Sequence, residues 1–256
     1  MNRTITILVA IAIVILLSAA RLQYTATPLQ INYPDYFGNR TFIPDSNLTT
    51  EEGVYLGRML FYETALSSNN TIACATCHKQ ELAFTDGKTF SAGADGTLQT
   101  RNTMSLVNLL WVRNFFWDGR TVGLEQQAVT PLTNVHEMAQ SLEVSAAKLK
   151  QKKIYAPLFV RAFGTDDITG SKIIKALAQF ERTLVSANSK YDKYLRGAYQ
   201  PTTSESNGIA LFYSNPNPVR NIRGAGCDHC HGGPKTFNEL FHNNGWTVFQ
   251  KMRAAN

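Results

Sequence analysis

The chain has 256 residues, of which 44% are hydrophobic and 17% are charged, so its composition is that of a globular protein with one or two domains. The formal charge is +6, but the basic residues are scattered. The nearest approach to a basic run is the four lysines in residues 148–153, which are typical of a solvated helix end. This distribution argues against nucleic-acid binding.

The N-terminus has the features of an export signal. Arg3 precedes an apolar run from Ile5 to Leu17, and small residues follow at 18–20. A positive start, a short apolar core and small residues are typical of a secretory signal over residues 1–20. A membrane span usually needs about 20 apolar residues, so an uncleaved anchor over residues 5–20 is the alternative. Both interpretations predict that the rest of the chain is exported to the periplasm.

All four cysteines lie in two copies of one motif, CATCH at residues 74–78 and CDHCH at residues 227–231. The C-x-x-C-H pattern is the signature of covalent haem attachment, in which both thiols bond to the haem and the adjacent histidine binds the iron. Zinc ribbons separate their cysteine pairs by only about 15–20 residues, far fewer than here. A pair of metal or redox dithiol sites is the alternative. The sequence therefore predicts two haem c groups, held by Cys74, Cys77, His78, Cys227, Cys230 and His231.

The residues that follow the first motif could form a reactive pocket around it. Glu137 is a candidate acid–base group, because a carboxylate above an open haem iron can move a proton between the oxygens of bound peroxide. Gln127 could orient the peroxide, and Pro131 could shape the pocket. The alternative is that Glu125, Gln126 and Gln127 are ordinary exposed helix residues and that Glu137 is a helix-start carboxylate. Trp117 is a candidate core residue, and a buried indole between two haems would also be an electron stepping-stone.

From Thr49 to about Gly245 the sequence resembles bacterial di-haem cytochrome c peroxidases and their MauG-type relatives. The resemblance implies an enzyme that reduces hydrogen peroxide to water with electrons from a small cytochrome c or cupredoxin. The first haem would be peroxidatic and the second would relay electrons. A MauG-type oxidase of a protein tryptophan, or a non-catalytic di-haem electron-transfer or sensor protein, is the alternative. The similar stretches are residues 56–87, 101–108, 115–138, 173–197 and 227–245.

The resemblance also implies roles for particular residues. Gln127, Pro131 and Glu137 match the family's distal glutamine, proline and glutamate in spacing. Trp117 matches the family's tryptophan between the haems. Asn102 matches a ligand of a calcium ion between the haems, although the family's other calcium ligands come from a later segment that this sequence does not contain. A homodimer is compatible with the resemblance.

The sequence departs from many family members in two places. The loop at residues 88–100 contains no histidine, whereas many of these peroxidases have one there that caps the resting iron. The first haem is therefore expected to have an open or water-bound face, with His136 as a less favoured substitute ligand. The family also continues well past the second motif, and that stretch normally supplies the sixth ligand of the second haem. The sequence is thus expected to be an incomplete family member.

The expected fold is mainly α-helical, with two c-type cytochrome-like haem domains, long loops and an incomplete second domain. After an N-terminal extension at residues 21–48, the expected domains cover residues 49–195 and 196–256. Residues 173–184 carry apolar side chains at helical spacing, which predicts a core-facing helix. No sustained alternating strand pattern and no repeat beyond the two motifs are present.

Overall fold

The computed structural model describes residues 26–235, 237–242 and 245, and this part of the chain is mainly helical, as predicted. No helix in the described part is long and apolar enough to cross a membrane. The predicted signal or anchor segment lies outside the described residues. The helices are α1 (Glu51–Phe61), α2 (Cys74–Cys77), α3 (Leu124–Thr133), α4 (Leu142–Gln151), α5 (Tyr155–Phe163), α6 (Gly170–Arg182), α7 (Lys190–Leu195) and α8 (Thr203–Tyr213).

Helix α6 forms the centre of the main hydrophobic core. The Thr169 hydroxyl accepts a hydrogen bond from the Lys172 amide and so satisfies a backbone donor at the start of the helix. The predicted core positions Ile173, Leu177 and Phe180 are buried, and Leu184 packs against them. Helix α1 crosses α6 so closely that a Cβ on Gly57 would overlap the backbone of α6. Helices α3 and α4 complete the packing around α6.

The N-terminal segment packs onto the helical body around a second apolar cluster. Phe37, Leu110 and Trp111 are buried together, and the Trp111 indole donates a hydrogen bond to the Gly38 carbonyl at 2.9 Å. Tyr33 packs edge-on against the same indole. Three-residue 3₁₀ turns at Asp35–Phe37, Asp45–Asn47 and Leu109–Trp111 shape this region. The segment therefore forms part of the wall of the helical body.

A buried ion pair joins this segment to two helices. Arg182 is 1% exposed, and its Nη2 donates to Glu125 Oε1 at 2.6 Å while its Nε donates to the Phe42 carbonyl. Asn47 donates to the same carboxylate oxygen at 2.6 Å. Burial acts to raise the pKa of Glu125, but the hydrogen bonds from Asn47 and Arg182 outweigh it and hold the pKa below its usual range. Glu125 is thus not the ordinary exposed helix residue that the alternative interpretation assumed.

A short hairpin corrects the expectation for Trp117. Strands β1 (Asn114–Phe115) and β2 (Thr121–Val122) are antiparallel, with Asn114 opposite Val122. Phe115 points into the core, and Phe116 takes a left-handed conformation at φ = 68°, which redirects the chain. The Trp117 indole consequently lies at the surface with 55% exposure. The predicted core position of Trp117 was therefore wrong, and its place between two haems stays a prediction.

The second motif is attached to the end of helix α8. The amides of Ala225 and Gly226 donate to the carbonyls of Leu211 and Ser214 at 2.8 and 3.0 Å. His229 contacts the Asn215 side chain through Nε2 at 2.7 Å. Helix α8 has no buried residue, so this part of the chain adds little core of its own.

Candidate haem site

The first motif forms a single helical turn whose reactive side chains face one cavity. The Ala73 amide donates to the Thr76 hydroxyl at 3.0 Å, and the His78 amide donates to the Cys74 carbonyl at 2.9 Å. These bonds hold Cys74, Cys77 and His78 at the wall of a cavity of about 330 Å³. A cavity of this size is within the range of ligand and cofactor pockets, roughly 300–1,000 Å³.

The orientation of His78 is set by a backbone carbonyl. Its Nδ1 lies 2.7 Å from the Phe84 carbonyl oxygen and donates its proton there. Ala83 and Phe84 both take left-handed conformations, which turn that carbonyl toward the ring. Nε2 is then the nitrogen left to bind a metal, the arrangement typical of ligating histidines. Burial lowers the pKa of His78, and the neutral imidazole is the form that binds iron.

The two cysteines of this motif are free thiols in the structure. Burial raises the pKa of Cys74 to about 12 and also raises the pKa of Cys77. In the described residues, no group of three or more His, Cys, Asp or Glu side chains is placed to hold a metal ion. Both thiols line the cavity, where they can bond to a group inside it.

The three predicted distal residues meet at this same cavity. Gln127 and Pro131 reach it from helix α3, and Glu137 reaches it from the turn that follows. The Met138 amide donates to the Pro131 carbonyl at 3.0 Å and folds the turn back on the helix. Asn134 donates a hydrogen bond to Glu137 Oε1 at 2.9 Å. Burial raises the pKa of Glu137 above its usual range, as acid–base work near neutral pH requires. The catalytic roles of these residues stay predictions.

The loop at residues 88–100 holds the Glu137 turn in place. The Ala94 amide donates to the Glu137 carbonyl at 2.7 Å, and the Gln99 side chain donates to the His136 carbonyl. His136 itself is exposed and pairs with Asp95 at 2.9 Å. It does not line the cavity, which agrees with its ranking as a less favoured iron ligand.

The rim of the cavity carries polar and cationic groups. The Trp117 indole donates to the Asn102 carbonyl at 3.1 Å, and the Asn102 side chain donates to the Lys88 carbonyl. Arg101 and Arg120 also line the cavity, and guanidinium groups are good partners for the two carboxylates of a haem. A calcium ion at Asn102 stays a prediction.

Glu181 is a cavity residue that the sequence interpretation missed. It is 6% exposed, and its Oε2 has no hydrogen-bond partner within the described part of the chain. Burial raises its pKa to about 8. The signal was present in the sequence, because Glu181 follows Ile173 and Leu177 at four-residue intervals and therefore shares their buried face.

The second motif forms a turn similar to that of the first motif but lies in a more open setting. Cys227–His229 is a 3₁₀ turn, and the His231 amide donates to the Cys227 carbonyl at 2.8 Å. Cys230 and His231 are exposed. In both motifs the histidine amide therefore donates to the carbonyl of the first cysteine. Among the described residues, Cys230 and His231 are more exposed than the corresponding residues of the first motif.

The first cavity fits a covalently attached haem. Two thiols can attach the macrocycle, and the oriented imidazole can bind its iron. The apolar wall suits the flat, mainly apolar ring, and the cationic groups suit its two carboxylates. The apolar wall consists of Ile72, Leu106, Leu132, Met138 and Leu177. The helical fold and this site define the class as a c-type haem protein.

Comparisons with known proteins give the family. The family profile described as di-haem cytochrome c peroxidase matches residues 51–200, and the chain belongs to this family. The methylamine utilization protein MauG of Methylophilus methylotrophus is 36% identical over 203 residues, which are 79% of this chain and 58% of that protein. Cytochrome c551 peroxidase of Nitrosomonas europaea is 34% identical over 198 residues, 77% of this chain and 54% of that protein.

A solved structure shows the same fold. The crystal structure of a MauG-like protein associated with microbial copper homeostasis superposes with a TM-score of 0.76 at 33% identity, over 84% of this chain and 61% of that chain. The chain thus spans a little more than half the length of these three relatives. The family membership confirms the resemblance inferred from the sequence and implies haem c as the cofactor.

Proposed function

We propose that this chain is a peroxidatic haem protein of the periplasm, in which the first haem reduces hydrogen peroxide to water and the second receives electrons from a small cytochrome c or cupredoxin. The observation that carries the proposal is the convergence of Gln127, Pro131 and Glu137 on the cavity that His78 faces. The family includes cytochrome c peroxidases, which supports peroxide as the substrate. The division into haem domains at residues 49–195 and 196–256 is part of the proposal.

The haem attachment residues, Gln127 and Glu137 have separate roles in the proposed reaction. Cys74, Cys77 and His78 would hold a haem, which would supply the iron that binds peroxide and the electrons needed to break its O–O bond. Glu137 takes the proton from the near peroxide oxygen and delivers it to the far oxygen, which leaves as water. Burial raises the pKa of Glu137, so this carboxyl exchanges its proton closer to neutral pH than an exposed glutamate does. Gln127 orients the peroxide by hydrogen bonding.

A MauG-type oxidase of a protein tryptophan is the second candidate. Two observations favour it: the 36% identity to MauG of Methylophilus methylotrophus and the absence of a histidine from residues 88–100. Both candidates use an open haem face in the same cavity. They differ in the reductant, because the oxidase takes its electrons from a protein side chain and the peroxidase takes them from a small redox protein.

The test measures haem content and peroxide turnover on the exported, matured protein. We expect two haems per chain that survive acid–acetone extraction, and peroxide turnover with a reduced small cytochrome c. Glu137→Gln keeps the side-chain size and removes the proton carrier, and the loss of one acid–base group costs about 10²–10⁴-fold in rate. The matched control is Glu143→Gln, an exposed glutamate on α4. Unchanged turnover in Glu137→Gln, with both haems bound, contradicts the proposed role.

A further inference from the structure

A second buried carboxyl, that of Glu181, lies in the wall of the cavity. Only 6% of the residue is exposed, and Oε2 is hydrogen-bonded to nothing in the described residues. An ionised carboxylate without a partner is costly in such surroundings, so the side chain is held protonated until a positive charge comes near. Burial accordingly raises its pKa to about 8.

The charged groups around Glu181 do not neutralise it. The adjacent Arg182 acts to lower the pKa of Glu181, but its side chain leaves helix α6 about 100° away, where Nη2 donates to Glu125 and Nε donates to the Phe42 carbonyl. Glu125 acts to raise the pKa. On the neighbouring helices, the other charged side chains are at exposed or half-exposed positions: Glu51, Glu52 and Arg58 on α1, and Glu143, Lys148 and Lys150 on α4. On the cavity wall, besides the three haem attachment residues, the ionisable groups are Arg101, Asp118, Arg120 and Glu137.

We propose that Glu181 is a redox-linked proton site: it takes up one proton from solvent when an electron enters the cavity and releases that proton when the electron leaves. The physical reason is electrostatic. Oxidation of a haem iron adds one positive charge to the cavity, which favours the carboxylate form of Glu181. Reduction removes that charge and favours the acid form. The proposal rests on the proposed function only in requiring that the first motif binds a haem.

This site has a use that Glu137 does not serve. Reduction of one peroxide molecule to two waters consumes two electrons and two protons, whereas Glu137 only passes one proton between the two peroxide oxygens. A carboxyl group that takes up a proton with each electron brings protons into the cavity at the same rate as electrons. The cavity thereby avoids gaining net charge as electrons arrive from the donor.

The test is the pH dependence of the midpoint potential of the first haem, measured by spectroelectrochemical titration of the full chain. Replacing Cys227 and Cys230 with alanine identifies which spectral changes belong to the second haem. In the wild-type protein we expect the midpoint to fall as pH rises, with a slope approaching about 59 mV per pH unit, the value for one proton per electron. In Glu181→Gln the side chain is neutral at every pH. Its midpoint is expected to stay at the low-pH value of the wild type.

Two control variants make the result specific. Glu143→Gln removes an exposed carboxyl from α4 and should keep the wild-type slope. Glu137→Gln removes the half-buried carboxyl of the cavity and shows which part of the slope, if any, belongs to Glu137. A slope that persists in Glu181→Gln, or that disappears only in Glu137→Gln, overturns the proposal. A wild-type midpoint that does not change with pH also overturns it, and that measurement decides even if the Glu181 variant fails to fold. Absence of peroxide turnover with the slope intact would refute the proposed function and leave this site standing.

Discussion

Substitution of Gly93 by alanine tests whether the loop at residues 88–100 positions Glu137. A Cβ on Gly93 would overlap the His136 carbonyl oxygen and would lie 3.0 Å from the Glu137 carbonyl oxygen. The loop and the turn are also joined by the Ala94 amide, so they cannot separate freely. Relief of the overlap moves the His136–Glu137 backbone by about 1 Å, and a misplacement of that size costs about 10²-fold in rate.

The assay is peroxide turnover with a reduced small cytochrome c, beside haem content and the absorption spectrum of the first haem. We expect turnover in Gly93→Ala to fall by about 10²-fold with two haems still bound, because the haem attachment residues are not displaced. Gly208→Ala is the matched control, since a Cβ on Gly208 meets nothing within 4 Å. Wild-type turnover in Gly93→Ala would refute the argument that this loop sets the position of Glu137.

Three further outcomes follow from the same structure. Replacing Cys74 and Cys77 with alanine should remove one of two haems, as counted by acid–acetone extraction; two retained haems would contradict the attachment site. Glu125→Ala leaves the buried Arg182 without its carboxylate partner and should lower the free energy of unfolding by about 3 kcal/mol in a urea titration. This value is near the low end for a broken buried ion pair because Glu125 is partly exposed. An unchanged unfolding midpoint would refute this expectation. Because the pKa of Glu137 is raised, peroxide turnover should fall on acidification at a pH above the usual range for glutamate, and this acid limb should be missing from the pH profile of Glu137→Gln.

The sequence was sufficient where a pattern is local. The four-residue intervals of Ile173, Leu177 and the neighbouring apolar side chains predicted helix α6 and its buried face, and the structure confirms both. The two C-x-x-C-H motifs predicted two haem attachment sites, and the two thiols and the histidine of the first motif do line one cavity. The resemblance to the family predicted that Gln127, Pro131 and Glu137 share one pocket, and these residues line one cavity, while their catalytic roles stay predictions.

The sequence was insufficient where long-range packing or a single backbone angle decides. Trp117 was expected to be buried because aromatic residues usually are, but the left-handed conformation of Phe116 places the indole at the rim. The hydrogen bonds between residues 93–99 and the turn at residues 136–137 join segments about 40 positions apart in the sequence. No local sequence pattern predicts such contacts. Glu181 was overlooked because only the apolar side chains of residues 173–184 were considered.

Two neighbouring residues of helix α6 have different roles, one in stability and one in the proposed proton uptake. Arg182 and Glu181 are consecutive, so their side chains leave the helix about 100° apart and meet different surroundings. The Arg182 guanidinium bonds to Glu125 on α3 and to the Phe42 carbonyl of the N-terminal segment, and so fixes that segment to the helical body. Glu181 faces the cavity, where its Oε2 has no partner among the described residues. A paired buried charge has little reason to change its protonation state, whereas an unpaired one responds to any charge that enters the cavity. The absence of a partner for Glu181 is therefore what would let it sense the oxidation state of a haem.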